Sequence, residues 1–533
     1  MTWSRRLASI AILAVLLAGI PFAVVVWREY RAGADLSPGG RVLRFAGEDW
    51  GAPSPFRFYP RGPGYIHMSL VFDTLTWKDA RGVVGLLAQS WHRSADEKQY
   101  TFTLRPGIRW HDGSRLTARD VAFSIDYLKK HHFTWTDLSP IRSARALDDL
   151  QVVVDLHTAH APFLTDIAGS FPVLPAHIWE KVDDPRQFMG QDSLTGSGPF
   201  RLESYSSTHG TYSYAANPHY FLGRPRIDRI QYIAAGDSLL ALRKGEIDAI
   251  PLWSRTLDAV AEFRSDPRYR IVEGPGDWVL RLVFNHRHPA LARREIRSAF
   301  AHVLDLDDIA ERLRHGFVEP GSPAFLPPAS TWRHPHLQAY THDVARAREL
   351  VEASGVGDLH LVLLTTPDYV REAEVIAEQA REIGIEISVH SVPASTRDAM
   401  LRDGRFDLAI DGHGGIGGDP DVLRRQFCPS PDSEAAHSVL NPASAYGYTN
   451  ADLCRLGDAQ LHEVDAQRRR EIVLEMQAIL ARDLPTIALW YPRVFFVYNP
   501  DVLDGWFYAP GGIAGGIPLA ENKLVYIRGG PLK

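Results

Sequence analysis

The chain has 533 residues, 45% of them hydrophobic and 23% charged, with a net charge of −6. That length supports two or three hydrophobic cores, and the balance excludes a disordered or fibrous chain. No basic stripe is available to neutralise phosphates, which excludes a nucleic-acid partner.

Arg5 and Arg6 precede an uncharged run from Leu7 to Trp27, and Arg28, Glu29 and Arg31 follow it. The run is apolar on all sides, whereas a buried core helix would carry polar residues on one face. Its length of about 21 residues is near the ~20 that span a bilayer and exceeds the ~7–15 of a signal-peptide core. Residues 1–34 are therefore expected to be an export signal or membrane anchor, with the length favouring an uncleaved anchor. Ala32-Gly33-Ala34 is the alternative cleavage site. Leu16-Leu17-Ala18-Gly19 looks like the start of a lipoprotein box, but Ile20 stands where the modifiable Cys is required, so lipidation there is excluded. The flanking charges favour the amino end inside and the rest outside, which places the bulk of the chain in the periplasm or at the cell surface.

Arg41 to Ala46 reads as a first strand, and Tyr65 to Trp77 carries a helix-like apolar run. Tyr100, Phe102 and Leu104 then alternate with Thr101, Thr103 and Arg105, the period of a half-buried strand. Pro106-Gly107 and Asp112-Gly113 punctuate it as turns. Thr117 with Asp120 fits a capping box, and Val121, Ile125 and Leu128 share one face of the helix that follows. These features are scaffold chemistry rather than ligand chemistry.

Taken together, residues Leu86 to Asp126 resemble the signature of the family 5 extracellular solute-binding proteins, the peptide- and nickel-type receptors of ABC importers. The matching pieces are Leu87-Ala88-Gln89-Ser90-Trp91, Tyr100-Thr101-Phe102-Thr103-Leu104-Arg105, Gly107-Ile108-Arg109-Trp110-His111-Asp112-Gly113 and the helix start Thr117 to Ser124. Gly196 to Phe200, Ala241 to Asp248 and Leu282 to Asn285 resemble further family motifs. The resemblance implies an α/β, periplasmic-binding-protein-like fold, with two lobes, a hinge and a cleft, plus an additional inserted α/β domain. Lobe I would comprise residues 41–60, 180–278 and 495–533, the inserted domain 61–179, and lobe II 279–494.

The carboxyl half alternates helices and strands, which argues for α/β units around a mostly parallel sheet. Ligands in such sheets sit at the carboxyl ends of strands, so the loop after a strand ending at Ile410 is the expected binding element. It holds Asp411, His413, Gly414, Gly415, Ile416 and Asp419 among five glycines between 412 and 418. Peptide receptors of the resembled family commonly place an aspartate where Ile416 stands, to pair with the peptide's α-ammonium. An apolar side chain cannot do so; Asp411 or Asp419 could supply the carboxylate from a shifted backbone. No Gly-x-x-x-x-Gly-Lys-Ser/Thr pattern supports a phosphate loop.

Around the expected cleft, Trp50, Tyr65, Trp253, Trp278 and Trp490 offer stacking faces, and Glu48, Arg281 and Asn285 offer polar partners. Metal chemistry has weaker support: none of the 22 histidines lies in His-Glu-x-x-His, so His413 is a ligand only if a chelate is bound, and no cofactor is expected. Gly-x-Ser-x-Gly is absent and no paired nucleophile emerges, which argues against an enzyme. Cys428 and Cys454, the only cysteines, either pair, as the resemblance implies and export permits, or remain buried thiols. The implied function is delivery of a solute, foremost an oligopeptide, to ABC importer permease subunits by a monomer. The alternatives are a nickel or metal-chelate receptor, or a membrane-anchored sensor or chaperone on this fold.

Overall fold

Leu43 and Phe45 alternate with Val42, Arg44 and Ala46 and bury one face of the first strand. Val42–Ala46 runs parallel to Arg229–Ile233, and Thr211–Ala216 and Phe200–Ser206 continue antiparallel as a four-stranded sheet. The structure, a computed structural model, describes residues 40–252, 259–274, 276–314, 317–323, 325–337, 340–428 and 446–528. The expected anchor of residues 1–34 and Trp253 lie outside the described residues. Among the described residues no helix is long and apolar enough to cross a membrane.

The expected helix-like run forms the helix Gly62–Val71, buried along most of its length. The inserted segment is an antiparallel sheet of Ala88–Arg93, Gln99–Leu104, Gln151–Leu156 and Ile141–Ala146, packed by the helix Ala118–Lys130. The Asp120 carboxylate accepts the Thr117 N–H at 2.7 Å and the Ala176 N–H at 2.9 Å, so it starts this helix and ties it to the next one. Within the turn that follows the second of these strands, the His111 N–H donates to the Gly196 carbonyl at 2.8 Å, and its ring Nε2 lies 3.0 Å from the Gly198 carbonyl. Burial pushes this imidazole down to about 4; it is neutral, and Nε2 carries the donated proton. Among the described residues the inserted segment has no separate core of its own. Its Tyr100, Phe102, Val152 and Phe163 join Leu43, Phe45, Tyr214 and Tyr526 of lobe I in one continuous cluster.

Lobe II is built on a six-stranded sheet in the order Val318–Pro320, Thr486–Pro492, Trp278–Phe284, Leu408–Gly414, Leu359–Thr365, Ile385–Ser391. The expectation of a mostly parallel sheet needs correction. Only Leu359–Thr365 with its two neighbours is parallel, whereas every pairing of Trp278–Phe284 and of Thr486–Pro492 is antiparallel. The reason is connectivity: these two strands are the ones that cross between the lobes. The expected helices form as Val344–Ser354 and Val370–Arg381, the first started by the Asp343 carboxylate accepting the Arg346 N–H at 2.9 Å.

Sheet membership changes twice. Arg270–Gly274 belongs to a three-stranded lobe I sheet with Val494–Tyr498 and Ala249–Leu252, while Trp278–Phe284 belongs to lobe II. The return passes between Thr486–Pro492 and Val494–Tyr498. Two short crossing segments thus connect the lobes, the arrangement that permits hinge motion around a cleft.

Candidate functional site: the cleft between the lobes

The strand expected to stop at Ile410 runs on through Gly414, because it stays paired with Trp278–Phe284 in the register Trp278 opposite Gly414 and Arg281 opposite Asp411. Gly412, His413 and Gly414 are therefore strand residues. The Trp278 indole covers Gly412, where any Cβ would fall 1.9 Å from the ring. Trp278 also packs 5.6 Å from Trp490, which is fully buried beneath it with the Arg314 guanidinium 5.1 Å over its ring. Of the two, Trp278 is the half-exposed one.

The opposite face of this strand pair carries Arg281, Asp411 and His413. Arg281 is only 1% exposed; it donates to Asp411 Oδ2 at 2.9 Å and to Gln426 Oε1 at 3.2 Å, and lies 5.3 Å over the Phe325 ring. Arg397 brings a second cation 3.4 Å from Asp411. Burial alone would raise the Asp411 carboxyl, but the two guanidiniums outweigh it and hold the group below the usual carboxylate range. His413 lies 3.1 Å from the Gln426 amide and 6.2 Å from the Phe325 ring. Burial first, and Arg281 second, push its imidazole down to about 3, so it is neutral at physiological pH. Among the described residues no three His, Cys, Asp or Glu side chains come together as a metal site.

After Gly414 the chain enters the loop Gly415 to Asp421. Ile416 is fully buried in an apolar cluster with Val279, Phe325 and Phe427, and Gly415 takes the left-handed conformation with φ +76° just before it. Asp419 receives two hydrogen bonds from Arg469, at 2.8 and 2.6 Å. Both carboxylates singled out as replacements at the Ile416 position are thus already neutralised by arginines. Cys428 and Cys454 are joined, their Cα atoms 5.4 Å apart, and the bond ties the end of Val422–Phe427 to the helix Ala451–His462.

On the lobe I side, Glu48 is exposed just past the first strand. The Trp50 N–H donates to the Tyr212 hydroxyl at 2.8 Å and its ring lies 6.0 Å from Tyr59. Tyr65 is buried, donating to the Ser170 carbonyl at 2.7 Å and packing 4.8 Å from Trp135. Asn285 serves the backbone: its amide donates to the Phe406 carbonyl at 2.6 Å where the chain leaves the central strand.

Sequence reasoning missed a second glycine loop and three charged residues. Residues 511–516 read Gly-Gly-Ile-Ala-Gly-Gly and echo Gly-Gly-Ile-Gly-Gly at 414–418; that echo was the available signal. The two loops meet across the cleft, since a Cβ on Gly418 would fall 3.0 Å from the Gly511 carbonyl oxygen. Beside them Lys78 reaches the Pro510 and Gly511 carbonyls at 3.4 and 3.5 Å. Burial lowers its ammonium, opposed by the charges of Asp166, Asp419 and Asp277. Asp166 is raised to about 6, by burial and then by Asp419, with Arg425 3.9 Å away opposing the shift. Asp277 is 3% exposed and is raised to about 7 by burial, with Lys78 opposing.

Comparison with known proteins agrees with this architecture. The dipeptide-binding protein of Escherichia coli K12 is 26% identical over 466 residues, covering 81% of this chain and 84% of that protein. The ABC transporter substrate-binding protein CtaP of Listeria monocytogenes superposes with a TM-score of 0.77 at 24% identity, covering 90% of this chain and 99% of that one. NikZ of Campylobacter jejuni, in complex with Ni(L-His), superposes with a TM-score of 0.74 at 22% identity, covering 90% and 99%. These two likenesses show the fold. Residues 82–434 match the model of the bacterial extracellular solute-binding proteins, family 5, middle region. With that match spanning most of the chain and the two-lobed fold around it, the protein belongs to the family 5 extracellular solute-binding proteins.

Proposed function

We propose that the protein captures a short peptide outside the cytoplasm and presents it, with the lobes closed, to the permease subunits of an ABC importer. The observation that carries this reading is the cleft, where two glycine loops from opposite lobes meet backbone to backbone beside buried charges and an indole. A solute that touches both lobes favours the closed form of such a cleft, and closure is the shape a membrane partner can read. The dipeptide-binding relative, aligned over most of its own length, supports peptide as the solute. Residues 7–27 would hold the protein at the membrane, and the lobe boundaries would fall at the crossing segments. The protein binds its solute and leaves it chemically unchanged.

A metal chelate is the second reading, favoured by one observation. His413 lies at the cleft with its imidazole held neutral, the state in which a histidine can ligate. Native mass spectrometry of the full-length chain, purified without stripping, separates the two. Release of a mixture of short peptides is the expected result. Release of a metal or small chelate would install the second reading, and protein that is empty and binds neither would sink both.

A further inference from the structure

Asp277 stands out among the acidic groups of the cleft. It lies on the segment that crosses from lobe I to lobe II, immediately before Trp278. Its residue is 97% buried, and its Oδ2 has no hydrogen-bond partner among the described residues. Both oxygens lie against the glycine loop: a Cβ on Gly417 would fall 1.6 Å from Oδ1 and 2.7 Å from Oδ2. The backbone is drawn in as well, with the Ile416 N–H donating to the Asp277 carbonyl at 3.3 Å. Gly417 is thus bare where the carboxylate needs room, one residue past the buried Ile416.

An unpaired carboxyl oxygen in such a place is costly unless a cation or a donor arrives. Among the described residues no donor and no cation reaches Oδ2 at hydrogen-bonding distance. Lys78, the cation across the cleft, is turned to the Pro510 and Gly511 carbonyls, and no ion pair joins it to Asp277 among the described residues. Asp411 is matched by Arg281 and Arg397, and Asp419 by Arg469. Asp166 has Arg425 at 3.9 Å, an arginine shared with Asp421, together with a hydrogen bond from the Thr165 side chain. Asp277 combines deep burial, an unpartnered oxygen and contact with the loop of the other lobe.

We infer that Asp277 is the anchor for a primary ammonium group of the solute, accepting its N–H donors at Oδ2 beneath the glycine loop. This rests on the peptide reading, and the α-ammonium of an unblocked peptide is the group that would fill it. The anchor sits on the crossing segment, so occupying it places the solute's amino end at the hinge, where both lobes reach it at once. It also explains how a buried isoleucine at 416 is compatible with an amine-bearing solute, since the balancing charge comes from the crossing strand.

The test is titration calorimetry on the full-length chain with trialanine and N-acetyl-trialanine, for the natural sequence and for Asp277→Asn. The natural protein is expected to prefer the free amine by at least about tenfold, the scale of one charge-assisted hydrogen bond. Asp277→Asn is expected to bring that ratio within about twofold of unity. Gly417→Ala, whose methyl would displace the carboxylate, is expected to erode the same preference with the charge still present. If the natural protein binds both peptides equally, or if Asp277→Asn keeps the full preference, the anchor is overturned while the peptide reading stands. If neither peptide binds and the native protein releases none, the peptide reading falls and the anchor falls with it.

Discussion

Asp277 and His413 show how one cleft holds two groups away from their ordinary ionisation in opposite senses. Burial raises the Asp277 carboxyl to about 7, opposed only by Lys78, and pushes the His413 imidazole down to about 3. Below about pH 4 an aspartate is protonated in both the folded and unfolded chain and contributes nothing. As the pH rises from there toward 7, the unfolded chain loses this proton while the folded one keeps it, so Asp277 makes folding progressively less favourable and then levels off. His413 acts the other way, its contribution being complete above about 6.5 and lost as the pH falls through that value. Asp277→Asn removes the first effect and leaves the second. The variant is therefore expected to gain stability over the natural protein between pH 4 and 7, by up to about 4 kcal/mol at pH 8 for a shift of roughly three pH units. Chemical unfolding of both ligand-free proteins at pH 4.5 and pH 8 measures this. A gap that is the same at both values would mean the carboxylate is ionised and already satisfied.

At the scale of elements, the lobe II face bearing Ile416 depends on how Val422–Phe427 and Ala451–His462 are held together. Phe427 and Leu453 share an apolar cluster, and the Cys428–Cys454 bond crosses from one helix to the other with a sequence separation of 26. Closing a loop of that size should stabilise the folded chain by roughly 3 kcal/mol through the unfolded state. Cys454→Ser is expected to lose about that much in equilibrium denaturation, with the folded circular dichroism spectrum retained. A loss under about 1 kcal/mol would show that the apolar cluster alone fixes the helices. Much at this scale was legible in sequence: alternation gave the strand at Gln99–Leu104, and the Thr117–Asp120 capping box gave the start of the helix Ala118–Lys130. The strand through Gly414 was not legible, because glycine-rich sequence reads as loop and only pairing with Trp278–Phe284 under the indole makes it extended. Asp277 escaped for the same kind of reason. It belongs to no motif, and its unpartnered oxygen is set by Gly417 and Lys78, which are distant in sequence.

For the whole molecule, closure is a balance between the contacts that the lobes make with each other and the freedom of the two crossing segments. Among the described residues, two of the contacts that hold the closed form bear on this balance. One is the meeting of residues 511–516 with 415–418, and the other is the edge of the inserted segment, where the Ala161 N–H donates to the Leu461 carbonyl at 2.8 Å and His462 Nδ1 lies 2.7 Å from the Ala159 carbonyl. Polar contacts of the second kind can be exchanged for water when the lobes part, so they cost little to break. The glycine meeting differs, because backbone approaches backbone and no side chain can retract to make room. Gly418 is the place to test this, since its backbone is not left-handed and a side chain there brings no conformational strain of its own. Its Cβ would meet the Gly511 carbonyl oxygen at 3.0 Å, and the two methyls of a valine would reach farther into that loop. Gly418→Val should therefore fold with a stability within about 1 kcal/mol of the natural protein and resist closing. Its affinity for trialanine should fall by about tenfold or more, because solute binding would then work against the opened equilibrium. In small-angle scattering at saturating solute, its radius of gyration should stay above that of the natural protein. Natural affinity together with an unchanged radius would mean that the lobes close without the glycine contact, on the edge at Ala161 and His462 and the Arg425–Asp166 pair.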